Sequence, residues 1–225
     1  MGALTFILLE SSLERVPREI WSHPQVVKSA RRYGLSPKDM LLDKSLHYNA
    51  MAQLVEKWKR GRPDIVHVTL LNILDTPLAS EGLIDIYIHV YDGRVFRVEP
   101  DTRIPKNYER FRGLMAQLLE VERVPPSGRP LIYKTHDSLE EFVEEHGEYI
   151  LLWERGRDSS PEYVAVRALY TGLPIGIGAF PRGDFKRSTI RLSSERYRIM
   201  GGLPLKAWSV AGRIVYAVER LLGYV

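Results

Sequence analysis

Positively charged side chains cluster in DTRIPKNYERF, residues 101–111, where a helix is predicted to begin. Pro105 suits the first position of a helix, because its missing backbone N–H is not needed there. Arg103, Lys106 and Arg110 are spaced three and then four residues apart, which predicts that they share one helix face. Because a helix N-terminus is already electropositive, this segment either presents an ordinary solvated basic face or binds an anion.

Two glycine-bearing loops are candidates for holding a small molecule. GIGAFPRGDF, residues 176–185, and IMGGLPLKAW, residues 199–208, each follow a strand-like run. Loops at the carboxyl ends of adjacent parallel strands can enclose one ligand, and glycine allows its close approach. Neither loop is a nucleotide motif, since Pro181 stands where G-x-G-x-x-G needs glycine and no G-x-x-x-x-G-K-[ST] exists. Ordinary strand-to-helix turns are the equal alternative.

Two acids lie in apolar surroundings and need partners. Asp85 interrupts a strand pattern, and Asp64 lies close to Arg62. For Asp64, an ion pair that fixes the backbone is favoured over a catalytic base. Histidines at ligand spacing, such as H-E-x-x-H, are absent, so no metal site is predicted, and the lack of G-x-S-x-G argues against a hydrolase. The six histidines are His23, His47, His67, His89, His136 and His146.

The elements that must position these residues can be read from hydrophobic periodicity. TFILLE predicts a buried strand, and HPQVVKSARRYG predicts a helix that ends at Gly34. LLDKSLHYNAMAQLVEKW predicts an amphipathic helix, IVHVTLLNIL a strand and DTPLASEG a loop. LIDIYIHVYDGRVFRV alternates on both sides of Asp92 and Gly93, which predicts a hairpin. Further on, the strand patterns LIYK, YILLWE and LPIGIGAF alternate with helix patterns, which predicts a parallel sheet with crossovers.

Composition is that of a globular protein of the size of one domain. The 225 residues are 44% hydrophobic and 27% charged, with a net charge of +4 and no cysteine. Disulfides and thiolate chemistry are therefore excluded, and a cytoplasmic protein is expected. No apolar run is long enough to span a membrane, and MGALTFILLESS lacks the basic region and cleavage signature of a signal peptide.

The segment RPDIVHVTLLNIL, the hairpin with TRIP after it, GAFPRGDF, PLKAW, SHPQVVKSARRYG and LLDKSLHYNAM together resemble a known family. They are similar, over nearly the whole chain, to the nucleolar essential protein family of SPOUT-class, pseudouridine-N1-specific methyltransferases of small-subunit rRNA. The lack of a basic arm is more like an archaeal member, whose location is the cytoplasm and not the nucleolus.

The resemblance implies an α/β fold with a SPOUT-type parallel sheet and a C-terminal deep trefoil knot. It implies one domain over residues 1–225, with an RNA-binding extension at about 60–110 and a cofactor-binding knot at about 150–225. A homodimer that binds S-adenosyl-L-methionine is expected, with ribosomal assembly proteins as further partners. The cofactor would contact the loop after YILLWE, the first glycine loop and the segment from Ile199 to Pro204 or Leu205. The residues are Trp153, Gly178, Gly183, Ile199, Met200, Gly201, Gly202, Leu203, Pro204 and Leu205.

For RNA, the resemblance places the family's basic positions at Arg62, Arg103, Lys106 and Arg110. Asp64 is the catalytic candidate by position, although orienting an arginine is favoured. Two departures stand out: Lys106 replaces a frequent arginine and loses its bidentate fork, and Met-Gly-Gly-Leu at 200–203 replaces Ser-Asn-Tyr of several relatives. A non-catalytic rRNA-binding assembly factor and a SPOUT methyltransferase of tRNA are the alternatives.

Overall fold

The computed structural model of the protein describes residues 4–224, which form a mixed sheet of eight strands. The strands are β1 Leu4–Ser11, β2 Ile84–Val90, β3 Val95–Val98, β4 Arg123–Val124, β5 Ile132–His136, β6 Tyr149–Ser159, β7 Ile175–Gly178 and β8 Ser193–Ile199. Their order across the sheet is β4-β5-β3-β2-β1-β7-β6-β8. The α/β class is confirmed.

Five neighbouring strands run parallel, and three at one side run antiparallel to their neighbours. β1 pairs in parallel with β2 and β7, and β6 pairs in parallel with β7 and β8. The predicted hairpin is confirmed, with Ile86 opposite Val98 and His89 opposite Val95. β5 then pairs antiparallel with β3 and β4, so the LIYK strand does not belong to the parallel part of the sheet, where the alternation of patterns had placed it. The carboxyl ends of the five parallel strands meet at one edge.

The described residues contain nine α-helices, which cover both faces of the sheet. They are α1 Pro24–Tyr33, α2 Lys44–His47, α3 Pro63–Leu74, α4 Pro77–Ser80, α5 Tyr108–Val121, α6 Leu139–His146, α7 Pro161–Thr171, α8 Arg187–Arg191 and α9 Ala207–Leu222. On one face α9 packs against α3 and α7. β1 is apolar throughout because both of its faces are buried. Phe6 and Leu8 join the core under these helices, whereas Ile7 and Leu9 join the core of the opposite face. Strands buried on both faces need not alternate.

The segment 65–74 is a helix and not the predicted strand. Pro63 occupies the first turn of α3, and Ile65, Val66, Leu70 and Ile73 are all buried. A helix enclosed on several sides is apolar on several faces and loses the amphipathic period that sequence analysis depends on. The loop predicted just after it contains the short helix α4, capped by Thr76.

The long amphipathic helix predicted from LLDKSLHYNAMAQLVEKW is also wrong. The chain forms only the single turn α2, a short 3-10 helix at Ala50–Gln53 and turns. Asp43 caps α2 by accepting a hydrogen bond from the Ser45 backbone N–H. Leu42, Ala50, Met51 and Leu54 of this stretch fill a small core of their own with α1, whereas Val55 and Trp58 are exposed.

The helix after DTRIP begins at Tyr108, three residues later than Pro105 predicts. Asn107 is the N-cap, and its side chain accepts a hydrogen bond from the Arg110 backbone N–H at 3.0 Å. A capping side chain accepts a hydrogen bond from a backbone N–H that has no partner within the helix, whereas proline only removes one such N–H. Arg103 and Lys106 therefore lie in the loop before α5, and the prediction that they share a helix face with Arg110 is wrong.

No helix within residues 4–224 combines the length and the apolar character that a membrane crossing requires.

Candidate functional site

A cleft of about 530 Å³ opens at the carboxyl edge of the parallel strands. Its walls come from β6, from the loops that follow β7 and β8, and from the starts of α3 and α9. Aromatic and aliphatic side chains line it together with charged groups, among them Trp153, Phe180, Asp184, Lys206 and Trp208. Clefts of this size and mixed lining are typical of small-molecule sites.

The first wall is a bulge in the long strand β6. Leu152 and Arg157 both stand in register with Tyr197 of β8, so residues 153–156 are extruded between them. Gly156 lies against the Tyr197 backbone, where a Cβ would approach within 2.6–2.7 Å, which explains the glycine. The segment after YILLWE thus continues β6 and is not the predicted loop, and the bulge, which begins within YILLWE, brings Trp153 into the cleft.

The second wall is the loop after β7, which is held from two sides. The Trp153 indole N–H donates to Asp184 Oδ1 at 2.7 Å. From the other side, Glu10 Oε1 accepts the backbone N–H of Lys186 at 2.7 Å, and Glu10 is also ion-paired with the buried Lys59. The Lys59 ammonium lies 4.4 Å from the centre of the Phe180 ring. A buried ion pair therefore fixes the loop that carries Gly178 and Gly183.

The third wall is the turn after β8, which contains the 3-10 helix Met200–Gly202. The two glycine loops were predicted to follow adjacent strands, but β6 lies between β7 and β8. They nevertheless face the same cleft, because all three strands are parallel and end at one edge.

Arg62 and Asp64 stand at the mouth of this cleft, at the start of α3. Arg62 Nε and Nη2 donate to Asp64 Oδ1 and Oδ2, each at 2.7 Å, which is the bidentate geometry of a strong pair. These hydrogen bonds raise the pKa of the Arg62 guanidinium above its usual value, so it stays charged. Arg62 itself lines the cleft. The ion pair expected for Asp64 is present, as is one between Asp85 and Arg97 at 2.7 Å.

Arg103, Lys106 and Arg110 form an exposed group on the neighbouring segment; we call these three residues the basic surface. Within residues 4–224, none of their side chains forms an ion pair or hydrogen bond, in contrast to Arg112 of the same helix, which pairs with Asp43. His67 of α3 reaches the Pro105 carbonyl with its Nε2 at 2.7 Å, and so ties the loop between Arg103 and Lys106 to the helix that carries Asp64 in its first turn. The contact between His67 and Pro105 therefore connects the basic surface to the start of α3 at the cleft mouth.

Asp43 is the buried support below α5. Its Oδ2 accepts a hydrogen bond from the Tyr108 hydroxyl at 2.8 Å, and its backbone N–H donates to His47 Nδ1 at 3.1 Å. His47 Nε2 lies 3.0 Å from Ser29 Oγ, so both ring nitrogens have partners. Burial lowers the pKa of His47 to about 4, which keeps the ring neutral.

A comparison with protein-family models gives a match over residues 6–219 to the family described as EMG1/NEP1 methyltransferase. The chain belongs to this family. Among curated proteins it is similar to the ribosomal RNA small subunit methyltransferase Nep1 of Aeropyrum pernix, with 64% identity over 97% of this chain and 98% of that protein. It is also similar to the Nep1 protein of Staphylothermus marinus, with 48% identity over 97% of this chain and 96% of the relative.

A solved structure supports the same family. The crystal structure of Archaeoglobus fulgidus Nep1 bound to S-adenosylhomocysteine is 36% identical, with a TM-score of 0.86 over 99% of this chain and 100% of the other. The fold of this EMG1/NEP1 methyltransferase is thus that of the family over its whole described length.

Most of the cofactor residues predicted for this EMG1/NEP1 chain lie in the cleft. Met200 and Gly201 are the exceptions, since they are not among its lining residues. The predicted residues that line it are Trp153, Gly178, Gly183, Ile199, Gly202, Leu203, Pro204 and Leu205. Sequence analysis missed Phe180, Lys206 and Trp208 as lining residues, although all three lie inside the motifs GAFPRGDF and PLKAW that carry the family resemblance.

Proposed function

We propose that this EMG1/NEP1 methyltransferase transfers a methyl group from S-adenosyl-L-methionine to N1 of a pseudouridine in a loop of small-subunit rRNA, as a step of ribosome biogenesis. The observation that carries the proposal is the position of Arg62. It lines the cleft that would hold the cofactor, and its helix also supports the loop of the basic surface. A base bound through the basic surface would therefore reach the cleft mouth.

The cleft residues fit the chemistry of the cofactor. An adenine ring needs apolar and aromatic walls, which Phe180, Leu203 and Trp208 offer, and the charged methionine end needs counter-charges such as Asp184 and Lys206. At Gly178, a Cβ would lie 2.8 Å from the Phe185 ring and 3.0 Å from the Phe180 ring, so a side chain there would crowd the wall. The family relation to a protein crystallised with S-adenosylhomocysteine agrees with this assignment.

The basic surface fits a single-stranded loop RNA. Three exposed cations that have no side-chain partners among residues 4–224 are available for phosphates, and the N-terminus of α5 adds its own positive potential. Proteins that read RNA sequence mostly bind unpaired loops, whose bases can be turned outward into a pocket. Arg62, Arg103, Lys106 and Arg110 are the RNA-binding residues of the proposal.

The reaction requires that the protein orient the pseudouridine toward the cofactor and that N1 lose one proton. Bound S-adenosyl-L-methionine supplies a methyl group on a sulfonium that needs no further activation. The N1–C bond forms as the S–C bond breaks, and the N1 proton leaves. Uridine is bonded to ribose through N1 and has no such proton, so the reaction distinguishes the two isomers chemically.

Asp64 is a positioning residue in this proposal and not the proton acceptor. Both of its carboxylate oxygens accept hydrogen bonds from Arg62, which leaves the carboxylate committed to that pair. The pair fixes the guanidinium at the cleft mouth, where it orients RNA, and water receives the proton. Orientation of this kind accounts for large rate effects without a general base.

The remaining predictions of the resemblance belong to the same proposal. A homodimer is supported by exposed apolar side chains on the packed pair α7 and α9, namely Tyr163, Val166, Tyr170, Tyr216 and Leu221. The trefoil knot within about 150–225, the RNA-binding extension at about 60–110, the assembly partners and the cytoplasmic location stay predictions. Light scattering on the purified protein tests the dimer.

The test of the proposed function is methyl transfer from radiolabelled S-adenosyl-L-methionine to small-subunit rRNA fragments that contain pseudouridine. Labelled rRNA fragments, with no label on tRNA added in equal amount, are expected. Cofactor binding without any labelled RNA would favour the non-catalytic assembly factor, and preferential labelling of tRNA would favour a tRNA methyltransferase.

A further inference from the structure

A second cluster of chemically capable side chains lies far from the cleft along the sheet. His136 ends β5, and Glu145 and His146 are the last two residues of α6. β5 is the second strand from one edge of the sheet, whereas the cleft is built on β7, β6 and β8 at the other. One imidazole nitrogen or carboxylate oxygen of each residue lies within 4.8 Å of the other two.

The distances in this cluster match those of a metal site. His136 Nε2 lies 3.0 Å from Glu145 Oε2, and His146 Nε2 lies 3.6 Å from Glu145 Oε1. Zinc binds imidazole nitrogen and carboxylate oxygen at close to 2.0–2.1 Å in a tetrahedron, which sets neighbouring ligand atoms about 3.3 Å apart. The two His–Glu distances lie on either side of that value, but they end on different oxygens of Glu145, so the imidazoles would close on a shared metal from donor separations of up to 4.8 Å.

One atom of the cluster lacks the partner that its burial requires. His146 Nε2 is shielded from solvent and has no hydrogen-bond partner among the described residues. Buried polar atoms are nearly always paired, and each exception needs an explanation. A cation bound between the two imidazoles and Glu145 would satisfy this nitrogen.

We propose that His136, Glu145 and His146 bind a divalent transition-metal ion of the zinc type, with water as the fourth ligand. Two imidazoles and one carboxylate are a donor set that suits zinc. On binding, the metal occupies His136 Nε2, and the single ring proton of the neutral imidazole resides on Nδ1, so no net proton is lost from this histidine.

The surroundings support the imidazoles as ligands. His136 Nδ1 lies 2.8 Å from Thr135 Oγ1, and in the tautomer that leaves Nε2 free for a metal, Nδ1–H donates to this oxygen. The Phe142 ring packs against His146 with centroids 4.5 Å apart. Arg97 is the nearby cation that opposes a metal, but its charge is compensated by Asp85 at 2.7 Å.

The site would act as a brace remote from the chemistry. It joins the end of β5 to the end of α6, which are otherwise connected here by hydrogen bonds and ring contacts. Metal binding to the folded state alone raises stability by mass action. The protein should therefore melt at a higher temperature with zinc, whatever its activity.

The test is titration of the full-length, chelator-treated protein with zinc chloride by calorimetry, with thermal melting in parallel. We expect one zinc ion per chain and a higher melting temperature. Glu145→Gln and His146→Asn should each weaken binding by at least about tenfold, because even changes outside the ligand set cost that much. Both side chains are partly exposed, so these variants are expected to fold.

Glu144→Gln is the matched control, since this exposed acid precedes Glu145 on the same helix and lies outside the cluster. It should bind zinc as the unmodified protein does. The absence of a zinc-dependent heat, or equal affinity in all variants, would overturn the proposal and leave the three residues as a hydrogen-bonded cluster.

Discussion

The cleft and the basic surface meet near Arg62 but are built by opposite means. The cleft is shaped: a strand bulge, a glycine loop and a turn converge, and the buried Glu10–Lys59 pair fixes one wall. The basic surface is barely shaped, because Arg103, Lys106 and Arg110 are exposed side chains without partners in the described chain. Shape selects a small ligand through enclosed contacts that salt weakens little, whereas exposed charge attracts phosphates with a strong salt dependence. The two functions should therefore be separable by mutation.

The largest predicted effect is a loss of folding stability at low pH. It arises from two buried histidines, one below the basic surface and one beside the cleft. Burial lowers the pKa of both His47 and His89 to about 4. Below the basic surface, His47 accepts a hydrogen bond from the Asp43 backbone N–H. Beside the cleft loop, His89 accepts a hydrogen bond from the Glu10 backbone N–H. The unfolded chain takes up protons below about pH 6.5, whereas the folded chain does so only near pH 4. Stability is therefore complete above pH 6.5 and is lost as the pH falls toward 4.

Each histidine contributes up to about 3 kcal/mol to this loss. Urea unfolding at a series of pH values between 7 and 4 should show a steep decline for the unmodified protein. His47→Gln and His89→Gln should each remove roughly half of the decline. A decline that is unchanged in both variants would show that other groups control acid stability.

The next prediction breaks the cleft alone. Gly178→Val places a branched side chain against the Phe180 and Phe185 rings, where even a Cβ is too close. An overpacking cost of about 1–3 kcal/mol, borne by the cofactor-bound state, predicts a loss of cofactor affinity of about 5- to 150-fold. Calorimetry with S-adenosyl-L-methionine measures it, and RNA affinity should not change. Gly113→Ala, at an exposed helical glycine with open space around it, is the control; parallel losses of both ligands would mean misfolding.

The third prediction breaks the basic surface alone. Arg103→Ala and Arg110→Ala should each weaken RNA binding by about tenfold at low salt, and should lower the slope of log affinity against log salt by about one. Cofactor affinity should be unaffected. Fluorescence anisotropy with a labelled loop RNA measures both quantities, with Arg191→Ala as the control, since Arg191 is exposed on α8. An unchanged salt slope would show that these residues form an ordinary solvated basic face and do not bind RNA phosphates.

The sequence predicted the cleft and the basic surface to different extents. For the cleft, strand patterns and glycines indicated the edge of the sheet correctly, because buried strands keep their signature. What periodicity could not show was the order of strands, which depends on pairings between distant segments such as Leu151 with Gly176, or the bulge at 153–156. At the basic surface, the residues were found but their support was not: the buried helix α3 lacks an amphipathic period, and the Asn107 cap overrides Pro105.

The histidine cluster shows a further limit. Metal motifs are recognised by short spacings, but His136 is separated from Glu145 by a turn and a whole helix. Only the packing of α6 against the sheet brings the donor atoms together. Sequence analysis predicted no metal site for this reason, and the zinc titration decides between that prediction and the proposed site.

The most direct test of the central claim compares two loop RNAs that are identical except for one nucleotide, pseudouridine or uridine. With purified protein and labelled S-adenosyl-L-methionine, we predict methyl transfer to the pseudouridine RNA, with the label at N1 after digestion and mass spectrometry, and no transfer to the uridine RNA. Equal labelling of both RNAs, or a methyl group at another atom of pseudouridine, would contradict the account.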